Sequence, residues 1–226
     1  MGIHGFASDS RFSLIFNGTD KMVWELISDE RTRAAFPREF VFRVIYALYG
    51  KTLKITYETE NRDEKPIWFG LGGHPGFRVP LVDGLSFEDY RISFAEPCHP
   101  RRIGLSSSCF PDGTESSFQL ENNRNLPLRH ELFDNDAIIL KDISREVTLE
   151  SEKDRHSVTV RFPQMAFLGI WQQMNSDAPY ICLEPWCSLP STQDQITDFE
   201  KKADLICLKP GEIYQNNWEI SITSKR

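Results

Sequence analysis

A chain of 226 residues is long enough to bury one sizeable core, and all-β sandwiches commonly reach this size as a single domain. At 40% hydrophobic and 26% charged the composition is that of an ordinary globular protein, and a formal net charge of −7 disfavours a nucleic-acid backbone or an anionic membrane as main partner. No apolar run approaches the ~20 residues of a membrane span, no signal-peptide pattern opens the chain, and the five cysteines (98, 109, 182, 187 and 207) form no Cys-x-x-Cys pair, so the chain reads as a reduced, cytoplasmic protein without a disulfide framework or zinc knuckle.

In chain order, His4-Gly5-Phe6-Ala7 precedes the first strand-like segment. Ser28 to Ala35 has a serine able to cap and acids in its first turn before Pro37, which predicts two turns of helix. Phe40–Leu48 and Leu53–Glu58 flank Tyr49-Gly50-Lys51 as the arms of a hairpin. In the second arm Leu53, Ile55 and Tyr57 alternate with Lys54, Thr56 and Glu58, as in a sheet with one wet face. Ile67-Trp68-Phe69 runs into Gly70-Leu71-Gly72-Gly73-His74-Pro75-Gly76-Phe77, read as a strand that ends in a stiff loop. Proline pushes the residue before it toward extended geometry, so one imidazole is held in a chosen direction. Glu96 to Asn125, rich in Ser, Pro, Gly and Asn, reads as long loops. Further strands are expected at 147–150, 157–162, 167–173, 180–184, 205–208 and 218–223, and a short helix at 197–203. Neither helix is long enough to cover a parallel sheet. The expected fold is therefore mainly β, a single antiparallel β-sandwich over 1–226.

Two residues stand out chemically. Histidine titrates nearest neutrality, so His74 in its loop is a candidate proton donor or acceptor, against the plainer reading of a tight turn in which it caps a carbonyl. Glu184 lies in the apolar run Tyr180-Ile181-Cys182-Leu183-Glu184-Pro185-Trp186, where a carboxylate must be paired, hydrogen-bonded or protonated. Alternation puts Tyr180, Cys182, Glu184 and Trp186 on one face, and Pro185, which cannot donate to a ladder, puts Glu184 at a strand end or edge. If the two residues face each other across a cleft, each keeps the other charged, lowering the glutamate pKa and raising that of the histidine. The pair is not the two-carboxylate device of a glycosidase, and neither a serine-nucleophile motif nor a metal-spaced histidine cluster accompanies it. Two opposed proton transfers without metal or redox cofactor would fit. His4 alone is weak, His99, His130 and His156 read as solvated, and Asp134-Asn135-Asp136 fits a turn or a sugar-hydroxyl contact better than a calcium loop. Trp68, Phe77, Trp171 and Trp186 are candidates to line a sugar site, each with core packing as the plainer alternative.

Gly72-Gly73-His74-Pro75-Gly76-Phe77 resembles the histidine loop of the aldose 1-epimerases (galactose mutarotases), and Cys182-Leu183-Glu184-Pro185-Trp186 their glutamate strand. His4-Gly5-Phe6-Ala7, Phe133-Asp134-Asn135-Asp136-Ala137 and Phe167-Leu168-Gly169-Ile170-Trp171 resemble the smaller bacterial branch, and the matches occur in the family's order across most of the chain. The resemblance implies a large antiparallel β-sandwich of the galactose-mutarotase type (a supersandwich) with a sugar cleft on one sheet. It implies Glu184 as general base, His74 as general acid, His4 as a second histidine holding the sugar ring and Asp136 as a sugar-hydroxyl contact, with Asp134 locally as eligible. It further implies a small aldose such as galactose or glucose as substrate, interconverted between α and β anomers, and no cofactor.

The family's members carry strands before the His-Gly motif, with an arginine that contacts the sugar, and a chain opening Met1-Gly2-Ile3-His4 has no counterpart to them. The expectation is an N-terminally shortened domain whose sheet edges are exposed or covered by a partner chain, as in a homodimer. Two other functions stay open: a non-catalytic carbohydrate-binding or sensing homologue, and an epimerase of sugar phosphates. The last would need an arginine cluster, for which Arg78 and Arg101-Arg102 are candidates.

Overall fold

The computed structural model describes residues 4–224. Strand dominates the backbone, and the chain resolves into two compact units, one formed by residues up to 69 with 205–219 and the other by 70–204 with 220 onward. Among the described residues no helix is long and apolar enough to cross a membrane.

In the first unit β1 (Ser13–Asn17), β2 (Lys21–Ile27), β3 (Phe40–Tyr49) and β4 (Thr52–Asn61) form an antiparallel meander. β3 and β4 are the expected hairpin, turning at Gly50 with φ of 59°, a left-handed angle open to a residue without a Cβ. Along β4, Ile55, Tyr57, Thr59 and Asn61 are buried and the residues between them are not. The helix expected at 28–35 is the shorter α1 (Glu30–Ala35). Asp29 rather than Ser28 caps it, accepting from Thr32 N, while the Ser28 hydroxyl turns away to Glu39. β5 (Ile67–Phe69) closes this part of the chain.

The second unit holds β6 (Gly76–Arg78), β7 (Arg91–Phe94), β8 (Arg101–Leu105), β9 (Pro111–Ser117), β10 (Asn125–Pro127), β11 (Ile138–Lys141), β12 (Glu146–Glu150), β13 (His156–Arg161), β14 (Phe167–Trp171) and β15 (Tyr180–Trp186). One sheet has the order β13-β12-β7-β10, the other β6-β15-β14-β11-β8-β9. The stretch read as loops, 96–125, thus contains β8, β9 and the first residue of β10. β9 reads Pro-Asp-Gly-Thr-Glu-Ser-Ser and is exposed from Asp112 onward, so it has no apolar alternation to betray it. Its pairing with β8 makes it a strand. The helix expected at 197–203 is a single 3₁₀ turn, Phe199–Lys201, with no buried side chain to hold a longer one.

The chain then returns to the first unit, where β16 (Ile206–Leu208) pairs with β5. The last strand, β17 (Ile213–Ser224), gives residues 213–219 to the first unit and the rest to the second.

Alternation explains the core of the second unit. Ile138 and Leu140 on β11, Leu168 and Ile170 on β14, and Ile181 and Leu183 on β15 share one face of the six-stranded sheet, and all are essentially fully buried. Ile92, Phe94, Val147, Leu149, Val158 and Val160 are the corresponding buried residues of β7, β12 and β13. Hydrocarbon on one face of each sheet is the pattern of an antiparallel β-sandwich, as expected. The opposite face of the six-stranded sheet carries the chemistry.

Candidate active site

β6 is three residues long, but its register outlasts it. Arg78, Phe77 and Gly76 stand opposite Tyr180, Ile181 and Cys182, and an isolated bridge between Gly72 and Trp186 resumes the same register without a shift. Between these points Leu183 N donates to Pro75 O (3.1 Å) and Gly73 N to Pro185 O (2.9 Å), and Cys187 N donates to Leu71 O (2.8 Å). In a regular antiparallel ladder Leu183 and Pro75 would exchange two bonds, and so would Pro185 and Gly73. Each of these pairs contains a proline, which has no N–H, so each keeps one. The histidine loop is therefore a strand partner of β15 with half its ladder bonds removed. Pro185 was expected to mark a strand end or an edge. β15 instead lies inside the sheet, and the side lacking the donor faces the histidine loop.

That register puts His74 directly opposite Glu184. They form a non-hydrogen-bonded pair, the kind whose side chains approach closest. His74 Nε2 lies 3.2 Å from Glu184 Oε1. The two were expected to face each other across a cleft; they are in contact instead, on one face of one sheet, so a ligand would sit over the pair. Glu184 is nearly buried, and the His74 side chain is 41% exposed.

The neighbouring strands complete the face. On β14, Gly169 is opposite Glu184 and Trp171 opposite Cys182; on β11, Ile139 is opposite Gly169. Glycine at 169 is a steric necessity, because a Cβ there would lie 2.7 Å from the Trp186 ring. One at Gly72 would lie 2.6 Å from the same indole, so Trp186 lies flat between two residues without side chains. The Trp171 indole meets His74 edge to face at 6.0 Å and donates from Nε1 to Asp136 Oδ1 at 2.9 Å. Asp136 has φ of 70°, a left-handed angle that aspartate tolerates better than most residues, and it also holds the thiol of Cys109 in a hydrogen bond.

The electrostatics differ from expectation. The Glu184 carboxyl was expected below its ordinary range. Burial and the neighbouring Asp136 charge push it up to about 8, and a hydrogen bond from the Trp186 indole only partly opposes them. Removing a carboxylate from water outweighs one donor. Burial and the Glu184 charge likewise push the Cys182 thiol up to about 12.

The structure thus brings His74, Glu184 and Asp136 together. Asp134, which the local sequence left as eligible as Asp136, is exposed at the end of a 3₁₀ turn. His4 belongs to the first unit, exposed in a turn before the short Ala7–Asp9 helix, and Trp68 lies on β5 of that unit. Phe77, opposite Ile181, is on the core side. Two histidines read as solvated are pinned: His130 stacks on Phe87 at 4.1 Å with Nδ1 2.8 Å from Gln172 Oε1, and His156 Nδ1 is 2.9 Å from Asp154. Gly169 was not singled out as a site residue, although a glycine inside a strand is a signal of close approach. Cys109 carries no such local signal.

The arginines that a phosphate would need do not cluster, because three strands separate β6, which carries Arg78, from β8, which carries Arg101 and Arg102. Arg78 pairs with Asp83 at 2.6 Å and Arg101 with Glu115 at 2.9 Å, while Arg102 alternates to the other side of β8. Phe167, opposite Trp186, lines a neighbouring cavity of about 210 Å³ whose cations, Lys141 and Arg145, stand among Glu115, Asp142 and Asp204.

The chain is 30% identical to the chromosomal and plasmid forms of protein LacX of Lactococcus lactis subsp. lactis, over 97% of its own length and 74% of theirs. It superposes on a galactose mutarotase related enzyme of Lactobacillus acidophilus with a TM-score of 0.90 at 29% identity, covering 99% of this chain and 76% of that one. For a galactose mutarotase-like protein of Lactobacillus casei the TM-score is 0.89 at 30% identity, covering 98% and 76%. The model of the aldose 1-epimerase family matches residues 1–221, and the chain belongs to that family.

Proposed function

We propose that the protein is a mutarotase, interconverting the α and β anomers of a free, uncharged aldose, with Glu184 as general base and His74 as general acid. The observation that carries the reading is their register: an acid and an imidazole in contact at 3.2 Å on one face of the sheet. The two oxygens that exchange protons in anomerisation, O1 and the ring oxygen O5, are bonded to the same carbon. Two side chains already in contact can each face one of them.

The Glu184 carboxylate takes the proton from the O1 hydroxyl, the electron pair of that O–H bond becomes the C1=O π bond, and the C1–O5 bond breaks. O5 takes a proton from the His74 imidazolium. The open aldehyde rotates about C1–C2, and the same groups, now acid and base in reverse, close the ring on the other face. Protons and charges return to their starting places, so the cycle needs no co-reactant. Each positioned proton transfer is worth about 10²–10⁴-fold. Trp171 and Trp186 offer apolar ring faces for the C–H surface of the sugar, and Asp136, anchored by the Trp171 indole, accepts from a sugar hydroxyl. The separation of Arg78 on β6 from Arg101 on β8 by three strands favours an uncharged aldose over a sugar phosphate.

One observation favours a second reading. A carboxyl held up to about 8 keeps its proton near neutrality, which suits a domain that binds a sugar without turning it over. Polarimetry of freshly dissolved α-anomers together with calorimetry separates the two. Acceleration abolished by Glu184→Gln supports the mutarotase; sugar binding without acceleration selects the binding domain.

A further inference from the structure

We propose that the His74 imidazole, the Cys182 thiolate and the Glu184 carboxylate together form a binding site for a thiophilic divalent cation such as zinc, which occupies the aldose site and shuts it reversibly. The mutarotase reading leaves Cys182 without a task. The thiol nevertheless lies in the catalytic face, two residues before Glu184 on β15 and so on the same side. Its cross-strand partner in β6 is Gly76, which has no side chain to lay over the buried sulfur: a Cβ there would lie 3.5 Å from Sγ.

One ligand atom from each of His74, Cys182 and Glu184 lies within 4.8 Å of the other two, and the His74–Glu184 distance is already 3.2 Å. Tetrahedral zinc holds N, O and S ligands at about 2.0–2.3 Å, which sets ligand atoms roughly 3.3–3.8 Å apart. The widest separation that the 4.8 Å limit allows exceeds this spacing by about an ångström, a gap that small side-chain rotations within the trio must close. The donor set decides the metal class. Sulfur and imidazole with a single carboxylate suit zinc, or cobalt as its spectroscopic substitute, and not calcium or magnesium, which take oxygen. Three protein ligands leave a fourth position on the open side of the sheet, where water or a sugar hydroxyl would stand. Binding replaces the His74–Glu184 contact, so the cation and the proton-transfer pair exclude each other. This cluster is assembled across two strands and has no sequence spacing to reveal it.

The test uses the full chain, freed of metal by a chelator that is then removed. Cobalt(II) is titrated and the near-ultraviolet thiolate-to-cobalt charge-transfer band recorded; zinc affinity is measured by calorimetry. Cys182→Ala and the exposed-cysteine control Cys207→Ala are compared with the unaltered protein, each checked for a cooperative melt. We expect one cobalt per chain with a thiolate band in the unaltered protein and in Cys207→Ala. Cys182→Ala should lose the band and bind zinc more weakly by more than about tenfold. Cys182→Ser, close in size, gives the same comparison should the alanine variant melt without cooperativity. A band absent from the unaltered protein, or kept by the Cys182 variants, overturns the proposal, as does undiminished zinc affinity in those variants. The cobalt band does not depend on turnover, so a protein that shows it but accelerates no sugar refutes the mutarotase reading and leaves the cation site standing.

Discussion

His74 faces Glu184 because two prolines leave the strand pairing in place while thinning its hydrogen bonds. Pro75 and Pro185 each remove one donor from the ladder on either side of the pair, and the register through Gly76–Cys182 and Gly72–Trp186 runs past them unbroken. The loop is thus both fixed in register and free of the full ladder, which lets an imidazole stand 3.2 Å from a nearly buried carboxyl.

The pH dependence follows from the burial of Glu184. The base must be ionised to take the O1 proton, so activity rises as pH rises through its pKa. With that carboxyl pushed up to about 8, the acid limb of kcat/KM in metal-free buffer is expected well above the ordinary glutamate range near 4.5. A profile already flat from pH 5 upward would show that the carboxyl is ionised in the free enzyme.

Asp136 is one of the causes of that displacement, so Asp136→Asn has two expected effects. Removing its charge moves the acid limb to lower pH, and weakening its sugar contact raises KM. A rise in KM with an unmoved acid limb would separate the binding role from the electrostatic one.

The same burial makes a stability prediction. The folded state holds the Glu184 proton more tightly than the unfolded chain, so Glu184 contributes its full share below about pH 4.5 and loses it as pH rises through about 8. A neutral amide escapes this loss, which for a shift of this size is on the order of a few kcal/mol. Glu184→Gln should match the unaltered protein in melting temperature at pH 4.5 and exceed it by about 5 °C or more at pH 9. Equal melting temperatures at both would mean that the buried carboxyl ionises without penalty.

Gly169→Ala tests the seat of Trp186. The added Cβ meets the indole at 2.7 Å, so the ring must shift, which disturbs its hydrogen bond to Glu184. Overpacking of this kind destabilises by about 1–3 kcal/mol. Chemical denaturation and the anomerisation rate should both register the change, and a stable variant of full activity would show that Trp186 has room to spare.

Much of this was legible in the residues. The alternation in Leu53–Glu58 and the apolar runs at Phe167–Trp171 and Tyr180–Trp186 announced the antiparallel sheets, and a glutamate among Ile, Leu, Cys and Trp announced itself by being out of place. β9 did not, because an exposed edge strand needs no hydrocarbon. The contact between His74 and Glu184 was read as a cleft because a strand register is not written in either segment alone. The Glu184 pKa was read in the wrong direction for a related reason: sequence shows a charged partner, but the depth of burial and the nearness of Asp136 appear only in the fold.

The most direct measurement of the central claim is the polarimetric rate of anomer interconversion for the unaltered protein and Glu184→Gln, at a pH above the acid limb. The account predicts clear acceleration over buffer by the former and a loss of at least about 10²-fold in the latter. An equal rate in the two proteins would contradict it.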